Sequence, residues 1–439
     1  MPALAQTLAW TLAPTWLMDR CARTLGDAFT LTFWPSGLQL AMFSDPQAVK
    51  TVFTAPADVA PSGARFSPVA PVVGASSVLV LTGPEHMRQR KLLLPPFHGE
   101  RMREYEQVMA EATARDMATW PLGRPMRLQR HTRLITLEVI LRAVFGVQDE
   151  RMGPLKAAIT ELLEPPQTMT MLRAAMSGPS RERPGGAIGQ ALDHLDRLLY
   201  EEIASRRAQS DVEQRSDILS LLLGARDEDG EAMTDGELRD ELITLLLAGH
   251  ETTATSVAWA VERLVRHPDK LARLVAEIDA DEGDDYLTAV VNETLRVRPV
   301  VPIVVRILTG ELEVGGHRLA PGTRVVPSIY LTNRNPRAHQ DPGAFRPERH
   351  LGDEGPTRAI NPFSWIPFGG GIRRCIGASF ALLEMKVLLR TMLGELEPRT
   401  TGGWRGSRDE RIRRRAITLV PARGASVVWE RRRPSRSSG

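Results

Sequence analysis

Thr234-Asp235-Gly236-Glu237 opens a run of helical periodicity that continues to about Arg266, and no other stretch of the 439 residues constrains the fold as strongly. The Thr-x-x-Glu spacing is a capping box. Some 30 residues at about 1.5 Å each make roughly 45 Å of helix, long enough to cross a whole domain. In its most apolar part, after Leu245-Leu246-Leu247, the run turns into Ala248-Gly249-His250-Glu251-Thr252-Thr253. A helix-interior Gly costs about 1 kcal/mol relative to Ala, and buried polar groups need partners. Stability alone does not explain such a block. Ala248 and Thr252, four apart, put a small side chain and a hydroxyl on one face, toward a common ligand. The other reading is a Thr bonded back to a carbonyl beside an exposed Glu. A zinc-peptidase reading of His250-Glu251 fails because position 254 is Ala.

The second constraining segment is Phe368-Gly369-Gly370-Gly371-Ile372-Arg373-Arg374-Cys375-Ile376-Gly377. Phe380, Leu383, Val387 and Leu388 follow at helical spacing, so the Cys375 sulfur lies at the mouth of an amphipathic helix. A thiolate that binds metal in a buried site needs a metal charge, backbone N–H donors and a helix N-terminus nearby. The three glycines allow a tight turn and close approach to a flat ligand, and Phe368 is placed to shield the sulfur. The alternative is a free buried cysteine acting as a small hydrophobe.

Other segments pair charges at helical spacing. His86 and Arg90 share a face of the helix that begins at Thr82-Gly83-Pro84 and ends at Pro95. Glu293 and Arg296 are three apart, and Arg349 follows in Phe345-Arg346-Pro347-Glu348-Arg349-His350.

These segments resemble, in order and type, the motifs of the cytochrome P450 superfamily over nearly the whole chain. The Phe368–Gly377 stretch is similar to its haem-thiolate loop, and Ala248–Thr253 to its oxygen-binding motif. The resemblance implies a mainly α fold, a helix-rich body with small antiparallel β-sheets, and haem b as cofactor. It makes Cys375 the iron ligand, with Phe368, Gly377 and Ala248 against the cofactor. His86, Arg90, Arg306 and Arg373 are the implied propionate anchors, through charge-assisted hydrogen bonds. Thr252 would hydrogen-bond dioxygen, and Glu251 would pass protons inward. Glu293, Arg296 and Arg349 would form a structural network holding the Cys375 loop, with His350 standing where Phe or Trp is commoner.

The implied activity is that of a monooxygenase hydroxylating or epoxidising a small apolar substrate such as a terpenoid, fatty acid, steroid or polyketide. Alternatives from the same residues are a haem protein that binds ligand without turnover, oxidative coupling, and peroxide-driven oxidation. Nothing in the sequence looks like a flavin or iron–sulfur domain. Electrons would then come from a separate ferredoxin or flavodoxin with its reductase. Arg88, Lys91, Arg101, Arg103 and Arg374 are candidates for its basic docking surface, the other reading being ordinary solvated charges. Aliphatic Val300, Val301, Ile303, Val304 and Ile417 suggest an apolar pocket, to which 62–77, 163–175 and 245–252 would also contribute.

Bulk features narrow the rest. Cys21 and Cys375, the two cysteines, cannot build a disulfide framework or a multi-cysteine zinc site, which points to a reducing compartment. The net charge of +3 is partly carried by the tail 430–439, read as solvated and disordered rather than nucleic-acid binding. Residues 1–18 show neither a basic leader nor about 20 consecutive apolar residues, so a cytoplasmic monomer without a membrane span is expected. One domain, 1–439, is expected, with a β-rich part in 1–80 built on the alternating segments 29–34 and 38–43. Strands are also expected at 311–314, 317–319, 417–420 and 425–429. Residues 177–186, with two prolines and three glycines, form either a mobile lid or a plain connector.

Overall fold

In the computed structural model, which describes residues 1–63, 69–97, 99, 101–146, 152–162, 184–352, 362–402 and 408–432, the capping box forms as expected. The Thr234 hydroxyl accepts from Glu237 N–H at 3.2 Å, and Glu237 Oε2 accepts from Thr234 N–H at 2.8 Å. The helix that follows, Asp235–Leu264, is buried around most of its circumference, as a helix at the centre of a fold must be.

Before it in the chain come helices α1 (Ala3–Leu12), α2 (Pro14–Leu25), α3 (Pro46–Thr54), α4 (Ala70–Val73) and α5 (Gly83–Leu93). They are followed by α6 (Arg101–Met117), α7 (Leu128–Phe145), α8 (Met152–Leu162), α9 (Gly186–Arg207) and α10 (Ile218–Gly224). The central helix is therefore α11, and after it come α12 (Pro268–Ala280), α13 (Asp285–Val297), α14 (Ile329–Thr332) and α15 (Ala378–Glu395). Helices α7, α9, α13 and α15 pack on α11 and share with it one apolar core that includes Leu242, Leu246, Val257, Val261, Val290 and Leu388.

Small sheets lie to one side. Strands β1 (Ala28–Phe33) and β2 (Leu38–Phe43) pair as the expected hairpin and continue through β7 (Arg324–Pro327) to β4 (Arg306–Ile307). The β5 (Leu312–Val314) and β6 (His317–Leu319) hairpin lies where the sequence put it. Strand β11 (Ser426–Arg431) joins β8 (Leu396–Thr400) to β3 (Pro125–Arg127), and β9 (Ile412–Arg415) pairs with β10 (Thr418–Pro421).

One expectation needs a qualification and another a correction. The small sheets are antiparallel as expected except for one pair, β2 and β7, which run parallel with Ala41 opposite Val325. A parallel pair requires a long crossover that no local signal announces. The first 80 residues also hold more helix than strand. Thr7, Trp10, Pro14, Leu17 and Met18 are the buried positions of α1 and α2, a helical spacing. They dock on the hairpin: Trp34 N–H donates to Thr7 Oγ1 at 2.9 Å, and the Trp10 ring meets Phe33 edge-on at 5.7 Å. No helix among the described residues is long and apolar enough to cross a membrane. Residues 163–175, most of 177–186 and the tail beyond 432 lie outside the described residues.

Candidate active site

Cys375 follows a single helical turn, Gly371–Arg373, and directly precedes α15 with only Ile376 and Gly377 between. Its N–H donates to Phe368 O at 3.0 Å, which closes the loop, while Gly377 N–H points at the sulfur. Gly369 and Gly371 have φ of 69° and 66°. A Cβ at Gly370 or Gly371 would collide with Phe53 of α3, so these glycines serve a close approach to protein as well as a tight turn. Phe368 is half-buried against the core, its ring edge-on to Trp365 at 6.3 Å. Cys375 itself is solvent-accessible although protein mass surrounds it. Burial pushes the thiol up, while Gly377 N–H, Arg374 and Arg90 draw it down. The outcome is a thiol that needs a further positive charge to remain ionised.

Four basic side chains, three arginines and a histidine, converge near this loop. His86 is 1% exposed, and burial with Arg373, Arg90 and Arg306 lowers it to about 4, so the four groups feel one another. Its Nδ1 is buried without a hydrogen-bond partner. Arg306 and Arg373 are each brought down to about 10, Arg306 by burial and Arg373 by burial and its cationic neighbours. The Arg373 guanidinium donates to the carbonyls of Val78 (3.0 Å), Leu79 (3.3 Å) and Leu81, which orient it without neutralising it. Arg90, Arg306 and Arg373 form no ion pair with a carboxylate among the described residues. Buried, uncompensated positive charge is costly unless an anion completes it.

On α11, Ala248 is exposed and Thr252 half-buried, four residues apart, between fully buried stretches 238–244 and 253–264 of the helix. That combination marks one open face. The Thr252 hydroxyl donates to Ala248 O at 2.7 Å, the back-bonded arrangement, leaving its oxygen as an acceptor. Glu251 is not exposed: it lies between Arg133 Nε at 2.8 Å and Arg415 Nη1 at 3.2 Å. Gly249 faces Ile140 of α7, where a Cβ would come within 3.1 Å, so its role is close helix packing. His250 is buried against Thr136 at 3.1 Å and lowered to about 3 by burial, Arg133 and Arg415, hence neutral.

The Glu293 network is present and larger than expected. Arg296 holds both Glu293 oxygens, at 2.8 and 2.9 Å, and Arg349 Nε reaches Oε1 at 3.0 Å. His350 Nε2 adds a contact at 3.0 Å and Arg346 N–H one at 2.7 Å. Arg296 also donates to the carbonyls of Asn333, Pro342 and Ala344, and Asn333 Oδ1 accepts from Ile366 N–H at 2.9 Å, two residues before Phe368. Helix α13 is thereby wired to the base of the cysteine loop.

Three features were not anticipated. Asp240 and Glu241 of α11 accept from the Ser76 and Val78 amides at 2.8 and 2.7 Å, clamping the loop whose carbonyls hold Arg373. Gly74, at φ 93°, is the position in that loop where any Cβ would strike Asp240. Glu384 of α15 is buried beside Thr253, and burial raises it well above the ordinary carboxylate range. No spacing rule flags such pairs, since their members are far apart in sequence. The proposed docking surface shrinks: Arg88 pairs with Asp227 and Glu237, both at 2.5 Å, and Lys91 with Glu228 at 2.6 Å. Among the aliphatic candidates Val300 is 6% exposed, Ile303 packs with the β1–β2 cluster, and Val301 and Val304 pack on Phe53 and Ile366. A cavity of about 360 Å³ beneath the cysteine loop is lined by His339, Arg349, Phe368 and Arg374 and includes neither Ala248 nor Thr252.

A family model described as "Cytochrome P450" matches residues 8–411. A Mycobacterium tuberculosis protein named cytochrome P450 137 is 40% identical over 443 residues, covering 99% of this chain and 89% of that protein. A Mycobacterium bovis protein named cytochrome P450 135B1 is 41% identical over 420 residues, covering 93% and 86%. Among solved structures, the retinoic acid-bound cyanobacterial CYP120A1 superposes with a TM-score of 0.83 at 23% identity over 97% of this chain and 96% of that one. The cytochrome P450DA heme domain gives 0.84 at 23% identity over 99% and 97%.

Proposed function

The chain belongs to the cytochrome P450 family, a haem b-dependent monooxygenase family, and from that premise we propose that it oxygenates a small apolar molecule above Cys375. The observation that supports this reading most is the composition of the cleft: a thiol with an N–H donor at a helix mouth, and buried cations with no carboxylate of their own.

These residues suit haem b. Cys375 would ligate the iron through its thiolate, and His86, Arg90, Arg306 and Arg373 would meet the propionates. The bound group supplies dioxygen activation, which thiolate donation favours. The protein's own part is electrostatic and geometric. Gly377 N–H and Arg90 moderate the sulfur's charge. Thr252, its proton committed to Ala248 O, offers an oxygen acceptor that fixes a water or a protonated ligand over the cleft. Glu251 is the nearest acid in sequence and carries protons toward Thr252 once it leaves one of its two arginines.

The substrate is a terpenoid, fatty acid, steroid or polyketide, consistent with the aliphatic segment 300–304. Electrons come from a separate ferredoxin or flavodoxin docking where Arg101, Arg103 and Arg374 carry charge without an acidic partner among the described residues. The test is reconstitution with surrogate redox partners, isotopically labelled dioxygen and a substrate chosen by its haem spin-state shift. One labelled oxygen atom in the product is expected; substrate binding without reductant consumption would favour a ligand-binding role. Thr252→Ala should lower product formed per reductant consumed by about tenfold, less than the roughly 10²–10⁴-fold of a full acid–base group, because Glu251 remains in place.

A further inference from the structure

A second cavity, of about 610 Å³, lies among α7, the C-terminal half of α11 and strands β8 to β11. Its wall is strongly cationic. Arg127, Arg130 and Arg133 come from β3 and α7, Arg266 follows α11, and Arg413, Arg415 and Arg423 come from the β9–β10 region. Only two carboxylates, Glu262 and Glu410, share the lining.

Those acids are already engaged. Glu262 takes Arg266 Nε at 2.5 Å and Arg263 at 2.6 and 2.9 Å. Glu410 accepts from Arg423 N–H at 2.8 Å and from its Nε at 3.3 Å. Behind the wall, Arg133 and Arg415 share the single carboxylate of Glu251. Arg127, Arg130 and Arg413 have no carboxylate partner among the described residues. The cavity thus offers, at its mouth, three guanidiniums with no carboxylate partner among the described residues and, at its back, two that share Glu251.

Guanidinium forks match oxyanions bidentately, and a cavity of this volume suits an organic-sized ligand rather than a single small ion. We propose that this cavity is a binding site for a multiply charged phosphate-type anion, an inorganic or organic di- or polyphosphate. The occupant completes Arg127, Arg130 and Arg413 and competes with Glu251 for Arg133 and Arg415. The proposal rests on these side chains alone and stands or falls independently of the oxygenation chemistry.

The experiment is calorimetric titration of the haem-loaded protein with inorganic pyrophosphate, with sodium chloride at matched ionic strength as the control and citrate as a second arm. Saturable 1:1 binding of pyrophosphate is expected. The double variant R130Q/R413Q, both sites exposed, should weaken it by about tenfold or more with the haem spectrum unchanged, the loss expected for charge-assisted contacts. Glu251→Gln should tighten binding, because it removes the negative charge that Arg133 and Arg415 share. Heat that matches the chloride control, affinity unaltered in R130Q/R413Q, or weaker binding in Glu251→Gln would each overturn the site. Citrate binding more tightly than pyrophosphate would overturn the phosphate assignment.

Discussion

Glu293 and Arg306 are both charged and buried, yet removing them should have opposite consequences. Burial alone would raise the Glu293 carboxyl, but Arg296, His350 and Arg349 outweigh it and hold it at about 2. Its folded value lies below its unfolded value, so its stabilisation is complete above about pH 4.5 and is lost as pH falls toward 2. Glu293→Gln should cost on the order of 3–5 kcal/mol in urea unfolding, since two guanidiniums lose their counter-charge, and should flatten the acid limb of the stability profile. Arg306 has no such counter-charge. Arg306→Leu should leave the urea midpoint of the haem-free protein unchanged or higher, while haem transfers faster to a haem acceptor such as apomyoglobin. Equal destabilisation with and without haem would contradict the anchor role. The sequence disclosed Glu293, Arg296 and Arg349 through motif resemblance, but not His350. Where an aromatic is commoner, this imidazole finds the lone pair on Glu293 Oε2 that the arginines leave available.

At the scale of elements, the contacts of α11 explain what local reading could and could not reach. Its start at Thr234 was legible because a capping box is local. Its partners were not, because Gly249 against Ile140 and Glu241 against Val78 join residues more than a hundred positions apart. Glu241 is raised by burial to about 8, against the opposing pull of the Val78 amide. A carboxyl with a raised folded value contributes stability that is fully present below its unfolded value near 4.5 and is lost as pH rises through about 8. Stability measured by urea unfolding should therefore decline over that window, and Glu241→Gln should reduce the slope. A slope unchanged in the variant would assign the decline elsewhere. Glu384, between α15 and α11, carries the same sign. Glu384→Gln should stabilise the protein by about 1–3 kcal/mol at pH 8 by sparing the burial of an ionisable acid, read as a higher melting temperature.

For the molecule as a whole, the helix-rich body followed from periodicity, and both hairpins from alternation around glycine turns. The two N-terminal helices were hidden because Gln6, Thr7 and Thr11 interrupt an apolar stretch, and their helical spacing becomes visible only against the β1–β2 hairpin they cover. The parallel β2–β7 pair and the arginine-lined cavity likewise arise from chain segments that meet only in three dimensions. What the fold accomplishes is to pack α15, with Cys375 at its mouth, against α11 while His86 and three arginines gather near the cysteine loop. The direct test of that arrangement is the spectrum of the reduced, carbon monoxide-bound protein in wild type and in Cys375→Ser. A strongly red-shifted Soret band in wild type that disappears in the variant, with haem still bound, is the predicted result; a red-shifted band that survives in Cys375→Ser would show that another group ligates the iron.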